Sequence, residues 1–117
     1  MSAVRGPALV LEAPLSLWGG LDPVTGLIVD ARHPQRGVSV TDRVLVMPAV
    51  RGSSSSSSVL AESVRAGTSP LAIVLGERDL ILAVGSAVAA ELYGVQVPVV
   101  VRSLAGVRTG DEVTVEA

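Results

Sequence analysis

The chain has 117 residues, 49% hydrophobic and 17% charged, with a formal net charge of −2. That length excludes a large multi-domain enzyme and fits one domain over residues 1–117, and the apolar content excludes a disordered chain. All nine basic residues are Arg and Cys is absent, which excludes a lysine Schiff base, a phosphate-loop lysine, disulfides, and any iron–sulfur or zinc site built on this chain's own thiolates.

With no Phe, and only Trp18 and Tyr93 as aromatics, the core has to be packed from Val, Leu, Ile and Ala. This suits strands covered by short helices. The charge balance gives no phosphate-binding footprint, so nucleic acid is not an expected partner. Arg5, Gly6, Pro7 and Glu12 interrupt the apolar stretch Met1 to Pro14, which does not read as an export signal. Leu80 to Ala90 ends at Glu91, short of the roughly 20 apolar residues of a membrane helix. No membrane partner is expected, and a cytoplasmic location is.

In chain order, Ala8 to Glu12 predicts a first strand stopped at Pro14, with Pro7 where a strand begins. Ser16 to Pro23 is dense in turn formers and holds Trp18 beside Gly19 and Gly20, which points to a loop whose backbone approaches something closely. Asp22-Pro23-Val24-Thr25-Gly26 has turn chemistry, and Leu27 to Val29 predicts a short strand making a hairpin. Asp30 to Gly37 is a polar loop with His33-Pro34. Val44 to Met47 has the continuous apolar character of a strand buried on both faces.

Arg51-Gly52 and six serines, Ser53 to Ser58, follow. Val59 to Ala66 has helical spacing and Gly67 is a natural C-cap. Leu71 to Leu75 predicts another buried strand, and Leu80 to Leu92 a helix capped by Asp79. Pro98 to Val101 and Val113 to Val115 are the last strand candidates. The order β, β, β, α, β, α, β, β is that of a mixed α/β domain with parallel pairing in its centre.

The serine run has two readings. Composition alone makes it a flexible linker. Its place between a buried strand and an apolar-faced helix makes it a loop whose N–H groups and hydroxyls face an anion at the helix start. It does not match the phosphate-loop pattern or G-x-S-x-G, and one His does not make a hydrolase triad. Arg51 is either a carboxylate-pairing group or a solvated loop Arg. His33 is either a general base or phosphohistidine, or a structural or exposed residue. Asp22 and Asp30 fit acid–base work or ordinary turns. Trp18 is either the wall of a ligand cavity or the one large core side chain. No metal-ligand spacing is present.

Taken together, Pro14-Leu15-Ser16-Leu17-Trp18-Gly19-Gly20-Leu21-Asp22-Pro23-Val24-Thr25-Gly26, then His33-Pro34, then Val44 to Pro48 leading into Arg51-Gly52-Ser53-Ser54-Ser55-Ser56, resemble the swivel domain, or small subunit, of the aconitase X family over roughly Leu9 to Tyr93. The resemblance implies a single swivel-type β/β/α domain with a mixed-sheet or barrel-like core and flanking short helices. It implies half of a hydro-lyase that removes water from a small hydroxy acid, cis-3-hydroxy-L-proline in bacterial members and phosphomevalonate in archaeal ones. The serine loop and His33-Pro34 look more like the bacterial type.

The resemblance places the catalytic base at Ser53, with Ser54 its nearest competitor, and puts Arg51, Gly52 and Ser54 at the substrate. It also implies a cysteine-bearing large partner that holds an iron–sulfur cluster, this chain holding none. Elimination beside a carboxylate needs a Lewis acid on the leaving oxygen and a base at carbon, and this chain offers the second alone. By itself the chain should be inactive. The competing functions are a phosphocarrier or anion-binding module, and an interaction domain with a disordered serine linker.

Overall fold

The structure, a computed structural model, describes residues 3–50, 55–103 and 105–116. Its strands are β1 (Ala3–Val10), β2 (Val44–Met47), β3 (Ala72–Leu75), β4 (Val99–Val101) and β5 (Glu112–Glu116), and its helices are α1 (Leu17–Gly20), α2 (Ser56–Ala66) and α3 (Leu80–Tyr93). The sheet order is β4-β3-β2-β1-β5. The first four strands in that order run parallel, and β5 is antiparallel to β1. The sheet curls into a half-barrel. The expected α/β class and parallel centre are both found.

Both central strands are buried on both faces, and alternation sorts their side chains. Leu45, Met47, Ile73 and Leu75 face the helices, joining Leu9, Leu60, Leu82 and Ala89. Val44, Val46, Ala72 and Val74 face the other way and pack with Ala8 and Val115. At Gly85 of α3 an added Cβ would lie 3.0 Å from both Cα and carbonyl oxygen of Ser57. The missing side chain therefore sets how closely α3 approaches the start of α2.

Several boundaries differ from expectation. β1 begins at Ala3 rather than Ala8, because residues 3–7 pair with β5 before Ala8 to Val10 pair with β2. Pro7, which lacks an N–H, falls where the strand changes partner. Leu27 to Val29 is not a strand. Isolated bridges link Leu21 to Ile28 and Leu27 to Ser39. The turn at its base is real, with Gly26 N–H donating to the Asp22 carbonyl at 2.8 Å and Val24 N–H to Asp22 Oδ1 at 2.9 Å.

Helix α2 starts at Ser56, three residues ahead of the apolar periodicity, so Ser56 to Ser58 are its first turn. Gly67 ends it in the left-handed region at φ 78°. Asp79 caps α3 as expected, its Oδ1 accepting from Leu82 N–H at 2.9 Å. Among the described residues no helix is long and apolar enough to cross a membrane.

Candidate functional site

Ligands of parallel α/β sheets collect where the strands end and the helices begin. Here that edge carries the exits of β1, β2 and β3 and the starts of α2 and α3. The segment Arg51 to Ser54 joins the exit of β2 to the start of α2. Its four residues, all the positions expected to act, lie outside the described residues; the frame that anchors both its ends is described.

On the incoming side, Val50 bridges Leu15 in parallel register. Gly76, just past β3, donates its N–H to the carbonyls of Met47 and Pro48 at 3.2 and 3.1 Å. A Cβ at Gly76 would lie 2.7 Å from the Pro48 carbonyl oxygen. This is a backbone-to-backbone approach that no side chain would tolerate without moving Pro48. The residues leading into the serine segment are thereby pinned to the end of the sheet.

On the outgoing side, Ser56 is buried and its Oγ accepts the Trp18 backbone N–H at 3.3 Å. The next serine packs on Gly85. Helix α2 is 11 residues long and carries no acidic residue in its first turn. Its aligned peptide dipoles thus leave about half a positive charge at the start, with no carboxylate of that turn to offset it. Such a terminus stabilises an anion formed beside it. These observations contradict the linker reading for Ser56 to Ser58, which are helical and in part buried.

The other sequence candidates are placed as follows. His33 is buried; its Nδ1 accepts the Gln35 N–H and its Nε2 donates to the Ala13 carbonyl, each at 3.0 Å. The ring is a clamp, and both nitrogens are engaged. Gln35, which no sequence motif singles out, completes it by donating to the Val10 carbonyl at 2.9 Å and accepting from Glu12 N–H at 2.8 Å. Together they hold the chain leaving β1. Asp22 and Asp30 accept backbone N–H groups two residues on, at 2.9 Å, which is turn chemistry. Trp18 is not a core residue: it is 60% exposed.

The donor set does not fit a cluster or zinc ion. The chain has no thiolate and one imidazole, and that imidazole is committed to backbone partners. Among the described residues no group of three or more His, Asp or Glu converges on a metal-sized space. An exposed ion pair on α2, Glu62 with Arg65, lies away from this edge. There the hydrogen bond from Arg65 holds the Glu62 carboxyl below its usual range, against the cost of desolvation and with the help of the charge of Arg65.

This frame has known counterparts. The chain is 42% identical over 96 residues to the cis-3-hydroxy-L-proline dehydratase of Hypocrea jecorina, and 44% over 97 residues to that of Pseudomonas aeruginosa. Those matches cover 82% and 83% of this chain but 16% and 17% of the relatives, so the chain spans about a sixth of their length. It is also 43% identical over 86 residues to the phosphomevalonate dehydratase small subunit of Thermococcus sibiricus, covering 74% of this chain and 66% of that one. The crystal structure of Thermococcus kodakaraensis aconitase X in its holo-form superposes with a TM-score of 0.87 at 32% identity, over 97% of this chain and 82% of that chain. The solution NMR structure of a UPF0107 protein matches with a TM-score of 0.81 at 34% identity, over 97% and 83% of the two chains. The aconitase X swivel-domain model matches residues 1–117. With the family model matching the whole chain, relatives above 40% identical and the fold in agreement, this chain belongs to the aconitase X swivel-domain family.

Proposed function

We propose that this domain works as the small half of an aconitase-X-type hydro-lyase, dehydrating cis-3-hydroxy-L-proline together with a large partner and supplying Ser53 as the base. The observation that supports this reading is the fixing of the two flanks, the exit of β2 at Pro48 and the start of α2 at Ser56, between which the chain passes through residues 51 to 54.

A free serine hydroxyl ionises only at very high pH and is a poor base. Beside backbone N–H donors and the positive end of α2, the alkoxide becomes far less costly, which is electrostatic preorganisation. Ionised Ser53 Oγ takes the proton from the substrate carbon, that C–H electron pair becomes the new double bond, and the neighbouring C–O bond breaks with its pair on oxygen. That oxygen takes a proton from solvent to leave as water, and Ser53 later returns its proton to solvent. Gly52 leaves room for the substrate's approach, Arg51 pairs with its carboxylate, and Ser54 is the adjacent donor.

When bound by the large partner, an iron–sulfur cluster supplies the Lewis acid for the leaving oxygen. This chain has no thiolate with which to hold it. The preference for the hydroxyproline substrate rests on the resemblance of the serine run and of His33-Pro34 to the bacterial type. Assay of the reconstituted pair on both substrates tests it. Turnover of cis-3-hydroxy-L-proline is expected; turnover of phosphomevalonate alone contradicts the substrate, and turnover of neither contradicts the reading.

A further inference from the structure

Helix α2 is gripped at its two ends by different means. Just past its C-terminal end, Thr68 Oγ1 donates to the Pro23 carbonyl at 2.6 Å, and the Thr68 carbonyl accepts from Thr41 Oγ1 at 3.0 Å. That clasp fixes the far end. The serine end has the bond from Trp18 N–H to Ser56 Oγ on one side and Gly85 of α3 on the other.

Gly85 is buried, and a Cβ there would meet Ser57 Cα and carbonyl oxygen at 3.0 Å and Leu60 Cβ at 3.4 Å. The two closest atoms are backbone, so no change of rotamer relieves the contact, and one helix has to give by a few tenths of an ångström. Helix α3 is held from elsewhere. Ser86 Oγ donates to the Val97 carbonyl at 2.6 Å, Asp79 caps its start, and Leu82 and Ala89 are fully buried. With α3 held and the far end of α2 clasped, the give falls on the first turn of α2. Glycine in mid-helix is otherwise unfavourable relative to alanine, so the approach of α2 is what Gly85 serves.

We propose that Gly85 is a positioning residue of the dehydration: by letting α3 seat against Ser57, it sets where the positive end of α2 stands and so how far the alkoxide of the base is stabilised. This rests on the reading of Ser53 above and deepens it. Gly85 acts through Ser57 and the serine end of α2 rather than on the substrate. The dependence is steep, because misplacing a reacting group by about 1 Å costs roughly a hundred-fold in rate.

In the reconstituted pair, Gly85→Ala should lower kcat and kcat/KM together by about three- to ten-fold, the mark of a contribution made in the transition state. With substrate deuterated at the carbon that loses its proton, the isotope effect on kcat should be at least as large as in the wild type, because proton removal is the slowed step. A merely structural role would not slow that step. Ala89→Gly, one turn further along α3, weakens the helix without adding an atom against α2, and should lower the melting temperature with kcat unchanged. Circular dichroism and pairing affinity check that Gly85→Ala is folded, and co-expression with the large subunit supports a weakened fold by mass action.

A folded Gly85→Ala pair with wild-type kcat overturns the positioning role and leaves the hydro-lyase reading standing. A slowed pair whose isotope effect falls toward one also overturns it, since another step then limits. So does Ala89→Gly slowing kcat as much as Gly85→Ala, or a Gly85→Ala chain that folds neither alone nor in the pair, which leaves Gly85 a packing residue only. Normal turnover by the Ser53→Ala pair overturns the base reading on which this one rests.

Discussion

The Oγ of Ser56 accepts the backbone N–H of Trp18 at 3.3 Å, tying the first turn of α2 to the loop that leaves β1. One serine of the six is thereby a strut. Ser56→Ala leaves the Trp18 N–H without that acceptor, and a partly buried donor so stranded costs about 1–2 kcal/mol. Urea titration should show a loss of that size, together with faster amide exchange at Trp18.

Gly76 holds the other side of the site. Gly76→Ala drives a Cβ to 2.7 Å from the Pro48 carbonyl, so the backbone entering the serine segment has to move. Overpacking of this kind costs about 1–3 kcal/mol. Because the displaced residues lead into Arg51 and Ser53, turnover of the reconstituted pair should fall more than the stability loss accounts for at temperatures where the variant is fully folded.

His33→Ala removes two backbone clamps at once, and a stability loss of about 2–4 kcal/mol is expected from denaturant unfolding. With both ring nitrogens engaged, labelled phosphoryl donors should leave the folded chain unlabelled. Acid-labile label at His33 would revive the phosphocarrier reading.

The Glu62–Arg65 pair gives a weak pH signature. A carboxyl held low in the folded state stabilises above its unfolded pKa, and that contribution is lost as pH falls through the folded value. Glu62→Gln should therefore change thermal stability slightly near neutrality and not at all in strong acid. The difference should shrink further in high salt, since the pair is exposed.

How much of this could be read from the chain follows from the range of the forces involved. β2 and β3 announce themselves because burial on both faces leaves unbroken apolar runs. Asp79 and Gly67 mark helix ends through local capping chemistry. The first half of β1 was hidden because its partner, Glu112 to Glu116, lies about a hundred residues away and Pro7 looks like a start. The early start of α2 was hidden because serines have no apolar periodicity; burial of Ser56 and the approach of Gly85 decide it. Leu27 to Val29 has strand composition, but its backbone bonds go to separate neighbours and no ladder propagates. The family motif points to Arg51, Gly52, Ser53 and Ser54. The supports at Gly76 and Gln35 leave no pattern, because a close approach and a side-chain clamp are tertiary facts.

The most direct measurement is turnover of cis-3-hydroxy-L-proline by the large subunit paired with the Ser53→Ala chain. Removing the base should lower the rate by at least about a hundred-fold, with pairing affinity and melting temperature as in the wild type. A Ser53→Ala pair that dehydrates at a near-normal rate would contradict the account.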